Sequence, residues 1–355
     1  MTLVGRVGDF DTPSLAKLVA RQDLTASEVE AVASHILRGD ATDIEIAAFI
    51  VALRTKGETV EELSALVRTM LGFSVAVSVA PGAIDTCGTG GDRSGTINVS
   101  TIGAIVAAGA GVRVVKHGNR AASSQCGSAD VLEALGIPIE LGPESVARCV
   151  QEAGIGFCFA PRYHPALRFI GPVRRALGVP TTFNFLGPLA NPARVLRQCV
   201  GVSDPLMAQR VTDVLVANGA EHVMVFCGRD GLDELTTTTT SHVIEYRDGA
   251  TRQYELDATT LGIERVDGDA LQGGDAAFNA SVVQRVLDGE AGAARNISIL
   301  NAAAAIQVAG LASTWPDGIE LASHSIDSGG ASKTFDAWRT LGRTLEDSPN
   351  DKEAE

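Results

Sequence analysis

Beyond Pro81 the chain alternates short β-branched runs with helical stretches, and that alternation admits few folds. The short runs lie at 83–87, 112–115, 156–160, 198–203 and 222–227; helical patterns lie near 98–110, 128–136, 143–153, 164–178 and 204–219. Strand, crossover helix, strand is the unit of a parallel sheet with helices on its faces. Residues 242–256 read instead as an antiparallel hairpin around Asp248-Gly249, and helices dominate from there to about residue 345. The first ~75 residues have another texture, helical throughout. Thr12-Pro13 places a cap residue before a proline suited to a first helical turn. Three capping boxes follow, Thr25 with Glu28, Thr42 with Glu45 and Thr59 with Glu62. Val29, Val32, Ala33, Ile36 and Leu37 form one apolar stripe that Gly39 stops; Val60, Leu63, Leu66, Val67 and Met70 form another. The expected fold class is α/β, with a small N-terminal helical bundle domain over residues 1–76 and a larger α/β domain over 77–345. The larger domain should hold a central, mainly parallel sheet flanked by helices. Residues 346–355 (EDSPNDKEAE) read as a disordered acidic tail.

The length, 355 residues, suits two domains, and 45% hydrophobic against 20% charged residues is a folded balance. Lys plus Arg number 29 and Asp plus Glu 43, a net charge of −14, which disfavours a broad nucleic-acid grip but not a local basic pocket for a phosphorylated small molecule. Two Trp and three Tyr offer little for stacking bases. Six cysteines without a CxxC pair read as reduced thiols of a cytoplasmic protein. No signal peptide or membrane span is expected: the most apolar stretch, 102–115, is broken by Gly103, Gly109 and Gly111.

The stretch DTCGTGGDRSGTINVST, beginning at Asp85, carries the most chemistry. A strand runs into Gly88-Thr89-Gly90-Gly91-Asp92, and a helix starts near Asn98–Thr101. Glycines let a ligand approach the backbone, and a helix N-terminus adds N–H donors, so together they can cradle phosphate or pyrophosphate. The glycines alone fit an ordinary turn equally well; Asp92, Asn98, Ser100 and Thr101 beside them favour a ligand site. No Lys-Ser/Thr closes a Walker loop, and Arg93 breaks the dinucleotide pattern. The next strand ends in Lys116-His117-Gly118-Asn119-Arg120, at the strand end that faces the crevice of an open α/β sheet. Lys116 offers a point charge, Asn119 directional hydrogen bonds, and His117 a wall or a base. Ser128 either caps the helix beginning at Ala129 or presents N–H groups to phosphate, and the two roles are compatible. Of Arg162, Arg168, Arg174 and Arg175, most should be solvated surface, while one could fork onto a substrate carboxylate. TTFNFLGPLANP (181–192) reads as an ordered turn or hinge without catalytic chemistry. Asp233 and Glu234 are either a solvent-facing acidic turn or ligands for a hard cation shared with substrate phosphates.

The chain closely resembles the anthranilate phosphoribosyltransferases, tryptophan-pathway members of the nucleoside phosphorylase and phosphoribosyltransferase superfamily. The resemblance rests on AAFIVALRTKGET (47–59), GTGGD (88–92), NVST (98–101), KHGNR (116–120), SS with GSADVLEALG (123–124, 127–136), HPAL with PVRRALG (164–167, 172–178), FNFLGPLANP (183–192) and GLDELT (231–236). It implies a helical domain joined to an α/β domain, a segment near 165–190 that returns to the helical domain, and a homodimer through the helical parts. It implies transfer of phosphoribosyl from 5-phosphoribosyl-1-pyrophosphate (PRPP) to the amino group of anthranilate, with release of pyrophosphate and Mg²⁺ as cofactor; because an aniline nitrogen is neutral and already nucleophilic at pH 7, no covalent enzyme intermediate is expected. PRPP would be held by Gly88, Gly91, Asp92, Thr96, Asn98, Ser100, Thr101, Lys116, Asn119, Ser123 and Ser128. Anthranilate would meet Gly88, His117, Asn119, His164 and Arg174. Ser100, Asp233 and Glu234 would place Mg²⁺, partly through pyrophosphate oxygens. Departures from the family pattern are Arg93 after GTGGD, Tyr163 before His164, and Pro180 after LGV.

Two other readings compete. A pyrimidine nucleoside phosphorylase also cleaves at ribose C1, but KHGNR and Arg174 argue against it. A catalytically silent nucleic-acid-binding paralogue fits neither the net charge nor the intact Asp233-Glu234 pair.

Overall fold

The computed structural model describes residues 10–92, 94–121 and 125–346. Arg93, Ser123 and residues 347–355 of the acidic tail lie outside them. Four helices come first: α1 (Thr12–Val19), α2 (Ala26–Arg38), α3 (Asp43–Lys56) and α4 (Val60–Gly72). All three capping boxes form, each threonine hydroxyl accepting a backbone N–H while the glutamate reaches back to the cap. At α1 the cap is Asp11 rather than Thr12: its carboxylate accepts the Ser14 N–H at 3.3 Å, and Thr12 already belongs to the helix. Gly39 ends α2 in the left-handed conformation, φ 83°.

The second part begins with β1 (Ile84–Gly88), α5 (Val99–Gly109), β2 (Val114–Gly118), α6 (Ser128–Ala134), α7 (Pro143–Ala153) and β3 (Ile155–Phe159). The expected helix over 164–178 is broken. It appears as a 3-10 turn Pro165–Phe169 and α9 (Gly171–Leu177), preceded by the one-turn α8 (Ala160–Tyr163), because Pro165 and Gly171-Pro172 interrupt the ladder. Then follow α10 (Phe183–Leu186), β4 (Arg197–Gly201), α11 (Pro205–Ala217), β5 (His222–Gly228), β6 (Thr240–Arg247) and β7 (Ala250–Asp257). Helices α12 (Ala276–Leu287), α13 (Ala293–Val308), α14 (Trp315–Asp327) and α15 (Gly330–Glu346) close the fold.

The sheet order is β3-β2-β1-β4-β5-β6-β7. The pairs from β3 to β5 are parallel, and the two pairs of the hairpin end are antiparallel. Alternation along β5 divides two cores: Met224 and Phe226 face one, Val223, Val225 and Cys227 the other. The first core lies between the sheet and α5, α7 and α12–α15. Helix α5, apolar on every side, is its centre and is buried from Val99 to Ala108 apart from Ser100. The second core joins the opposite sheet face to α11, the N-terminal helices and the returning residues Ile170, Val173, Phe183, Leu186 and Leu189.

Two polar nodes fasten this second core. Glu58 is buried and accepts from Thr182 Oγ1 at 2.5 Å, with Arg54 and Arg210 also paired to it. Lys56 bridges Asp23 at 2.6 Å and Glu62 at 2.9 Å. These contacts give the RTKGE stretch its structural purpose: it holds the α3–α4 corner against the hinge at 181–182.

Candidate active site

The carboxyl ends of β1 and β2, with the loops that follow them and the acidic turn after β5, line one cleft of about 420 Å³. Every described candidate residue lies on its wall: the 88–101 loop and helix start, Lys116–Asn119, Ser128, His164, Arg174 and the Asp233-Glu234 turn.

At one end is the glycine loop. Gly90 and Gly91 have φ of 68° and 81°, so the turn itself requires glycine there. Gly88 and Gly201 serve another need. A Cβ on Gly88 would stand 2.2 Å from Asp233 Oδ2, and one on Gly201 would stand 1.6 Å from the Asp233 carbonyl oxygen. Two strand ends thus lack side chains so that the acidic turn can lie across them. Asp233 Oδ2 accepts the Gly90 N–H at 2.7 Å, and Glu234 Oε1 accepts the Ser100 N–H at 3.0 Å. The solvent-facing alternative for this acidic pair is therefore excluded.

Crowding by protein, with Asp92 nearby, raises the Asp233 carboxyl to about 7. Burial, with Asp233 beside it, raises Glu234 well above the usual carboxylate range. Carboxylates gathered at this cost are what a hard dication would relieve. Among the described residues no group of three or more His, Cys, Asp or Glu side chains is placed to hold a metal alone. The donor set therefore suits Mg²⁺ that takes its remaining ligands from substrate phosphate and water.

Lys116 differs from expectation. It is 2% exposed, and its Nζ donates to the Thr86 carbonyl at 2.6 Å and to Ser100 Oγ at 3.1 Å. The ammonium thus forms the floor of the cleft and acts through the Ser100 hydroxyl. Ser128 is not the cap of α6 either. Gly127 precedes the helix, Asp130 Oδ2 accepts the Gly127 N–H at 2.8 Å, and Ser128 Oγ donates to the Asn119 carbonyl at 3.3 Å.

The other end of the cleft is more apolar. Met70, Leu167, Phe183 and Pro188 line it together with His117, His164 and Arg174. The two imidazoles lie 5.2 Å apart and donate to main-chain carbonyls, His117 Nδ1 to Gly187 at 3.1 Å and His164 Nε2 to Ala190 at 2.8 Å. Burial first, then the His164 ring, lowers His117 to about 3, so it is neutral and a weak base. Arg174 donates to Asn184 Oδ1 at 3.2 Å with its guanidinium 5.9 Å from the Phe183 ring centre. Of the other three arginines, Arg168 and Arg175 are exposed, and none of the three lines the cleft. Tyr163, which departs from the family pattern, is fully buried and donates to the Leu141 carbonyl at 2.8 Å, a structural role. Pro180 is exposed.

The segment 181–192 corrects the sequence reading. Beyond a turn or hinge, it supplies Phe183, Asn184, Gly187, Pro188 and Ala190 to the cleft wall. Its Asn191 donates to Asp85 Oδ2 and to the Val115 carbonyl, both at 2.8 Å. Asn301 is a further residue the sequence did not single out. It accepts the Leu235 N–H at 3.0 Å and donates to the Leu235 carbonyl at 2.9 Å, fixing the residue after the acidic pair. A signal existed: an amide inside the apolar run ISILNAAAAI must find partners once buried.

Comparisons with known proteins agree with this geometry. The family model "Glycosyl transferase family, a/b domain" matches residues 80–332, and "Glycosyl transferase family, helical bundle domain" matches 12–74. Anthranilate phosphoribosyltransferase of Nocardioides sp. is 51% identical over 329 residues, 91% of this chain and 96% of that protein. The Rhodococcus jostii enzyme of the same name is 50% identical over 333 residues, 92% of each. The crystal structure of anthranilate phosphoribosyltransferase from Thermus thermophilus superposes with a TM-score of 0.87 at 37% identity, covering 93% of this chain and 99% of that one. That from Saccharomyces cerevisiae in complex with PRPP and Mg shares the fold, with a TM-score of 0.84 at 24% identity over 94% of this chain and 99% of that one. Two domain models in register and half-identical relatives along nearly the whole length leave one assignment: the chain belongs to the anthranilate phosphoribosyltransferase family.

Proposed function

We infer that this chain transfers the phosphoribosyl group of PRPP to the amino group of anthranilate, giving N-(5-phosphoribosyl)anthranilate and pyrophosphate in tryptophan biosynthesis. The observation that carries the reading is a single cleft with a glycine-and-carboxylate cradle at one end and Arg174 among apolar and imidazole walls at the other. PRPP would lie along Gly88, Gly91, Asp92, Thr96, Asn98, Ser100, Thr101, Asn119 and Ser128, with Lys116 acting through Ser100. Arg174 would fork onto the anthranilate carboxylate, its guanidinium already steadied by Asn184.

As pyrophosphate departs, ribose C1 gains positive charge and the leaving oxygens gain negative charge. The glycine loop and the positive end of the α5 dipole would face the leaving group, beside the acidic turn that their Gly90 and Ser100 N–H groups hold. Ser100, Asp233 and Glu234 would hold Mg²⁺, which supplies neutralisation of the developing pyrophosphate charge. The anthranilate amine is neutral at pH 7 and already nucleophilic. A strong protein base is unnecessary, and His117 held near 3 is not one. Holding amine and C1 in register then supplies much of the rate, without a covalent enzyme intermediate.

The cytoplasmic, homodimeric state belongs to the same proposal. All six cysteines are buried thiols outside any disulfide, as suits a reducing compartment, and among the described residues no helix is long and apolar enough to cross a membrane. Helix α3 presents Ile44 at 82% exposure beside a half-buried core face, and Val19 of α1 is 72% exposed, which suits pairing of two helical domains.

The test is loss of anthranilate fluorescence with purified protein, Mg²⁺ and PRPP, each omitted in turn. Loss that needs all three, with pyrophosphate released, is expected. Arg174→Ala should raise KM for anthranilate by roughly tenfold or more, the scale of a lost charge-assisted hydrogen bond, and KM for PRPP far less. Phosphorolysis of thymidine or uridine without anthranilate turnover would establish the nucleoside phosphorylase reading instead.

A further inference from the structure

Asn279 lies in the first turn of α12, outside the segments that carry the family resemblance, and is 2% exposed. Its Nδ2 donates to Asn98 Oδ1 at 2.9 Å, and its own Oδ1 accepts the Gly274 N–H at 2.9 Å. Asn98 passes the chain on, donating from Nδ2 to the Cys126 carbonyl at 3.2 Å.

Asn98 occupies the N-cap position of α5. An asparagine there ordinarily turns its side-chain oxygen onto the N–H groups of its own helix. Asn98 makes no such cap, and the Ser100 N–H goes to Glu234 instead. The amide has been drawn away from its default role, and Asn279 is the partner that draws it. The network also decides which end of the amide is which. Gly274 N–H can only donate, so Asn279 must face Asn98 with its NH₂ group, and the Cys126 carbonyl can only accept. Asn98 is left with one Nδ2 hydrogen that these bonds do not use, on a residue of the cleft wall. A donor is what a phosphate oxygen needs.

The chain just before α12 holds the same loop. Ile97 N–H donates to the Leu271 carbonyl at 3.1 Å, and Gly273 N–H to the Gly95 carbonyl at 2.8 Å, so residues 271–273 form a strap along 95–97. Gly273 is glycine because a Cβ would stand 2.6 Å from the Thr96 carbonyl oxygen.

We propose that Asn279 is a positioning residue for the transfer reaction: it holds the Asn98 amide with its donor available to the cleft, so the phosphate cradle is set before PRPP arrives. The proposal rests on the reading that Asn98 holds PRPP.

A double-mutant cycle over Asn98→Ala and Asn279→Ala tests it, with PRPP affinity measured by calorimetry in the presence of Mg²⁺ and both KM values measured at steady state. Asn279→Ala should weaken PRPP binding roughly tenfold, leave KM for anthranilate within about twofold, and add little to Asn98→Ala. Asn279→Asp keeps the shape and places a carboxylate against Asn98 Oδ1. It should weaken PRPP at least as much, and it serves if the alanine variant does not fold. Equal loss of affinity for both substrates, or additive losses in the cycle, would overturn the role of Asn279 alone. So would full PRPP affinity in Asn279→Ala beside weakened binding in Asn98→Ala. Full PRPP affinity in Asn98→Ala would overturn both the role and the reading beneath it.

Discussion

His117, next to the last residue of β2, has 6% of its surface exposed, so its imidazole is enclosed by protein where a charge finds little solvent. Its pKa of about 3 has a consequence for stability. In the unfolded chain an imidazole takes up a proton below about pH 6.5, while in the folded chain this one does not until near pH 3. Protons therefore favour the unfolded chain across that window. The stability is full above about pH 6.5 and is lost as pH falls towards 3, with a slope of up to about 1.4 kcal/mol per pH unit. His164, also lowered by burial, acts in the same direction. The raised carboxyls of Asp85, Asp233 and Glu234 act oppositely, so the net curve mixes signs and a variant is needed to isolate the imidazole. Urea midpoints measured from pH 7.5 to 5 should fall less steeply in His117→Gln than in the parent chain. Identical slopes would show that His117 does titrate normally in the fold.

The acidic turn is an element whose position depends on what two neighbouring strands omit. Gly201→Ala would drive a methyl into the Asp233 backbone, and the turn must move. kcat/KM should drop more than about tenfold, with a raised Mg²⁺ requirement, beyond what any fall in Tm explains. Gly72→Ala is the control: a Cβ there meets nothing within 4 Å and lies in α4, so activity should stay and stability rise by ~0.4–1 kcal/mol. An unchanged Mg²⁺ response in Gly201→Ala would refute the steric account. The same distinction between local and distant contacts explains what the sequence could show. Capping boxes close within three residues, and β5 is a short continuous apolar run, so helices and strands could be read directly. The glycine loop and the acidic pair were legible as candidate chemistry because their residue types are costly elsewhere. The wall at 181–192 was not, because its partners are remote: Gly187 meets His117 and Asn191 meets Asp85, 70 and 106 positions away in the chain. Asn279 was hidden for the same reason, its partner Asn98 lying 181 positions earlier.

Among the described residues, three of the nine exposed large apolar side chains, Val19, Ile44 and Val51, lie on the N-terminal helices. Ile44 at 82% and Val51 at 42% lie on α3, a helix whose other side is already buried against α1 and α9. Sedimentation equilibrium should report two chains, and Ile44→Arg should shift the population towards one chain without unfolding it. An unchanged dimer in that variant would place the interface elsewhere. The sheet order has a consequence in time as well as in space. Central β1 pairs on one side with β2 and on the other with β4, where Ile84 meets Arg197 more than a hundred residues later. Closing that span, and adding the 233–234 turn and the helix that grips it, comes after the local helices can form. On a ribosome the N-terminal helices emerge well before the cleft is complete, and their core closes only once residues 170–189 return to it. PRPP therefore meets only a finished protein: it can slow unfolding, but it cannot guide the chain towards its native state.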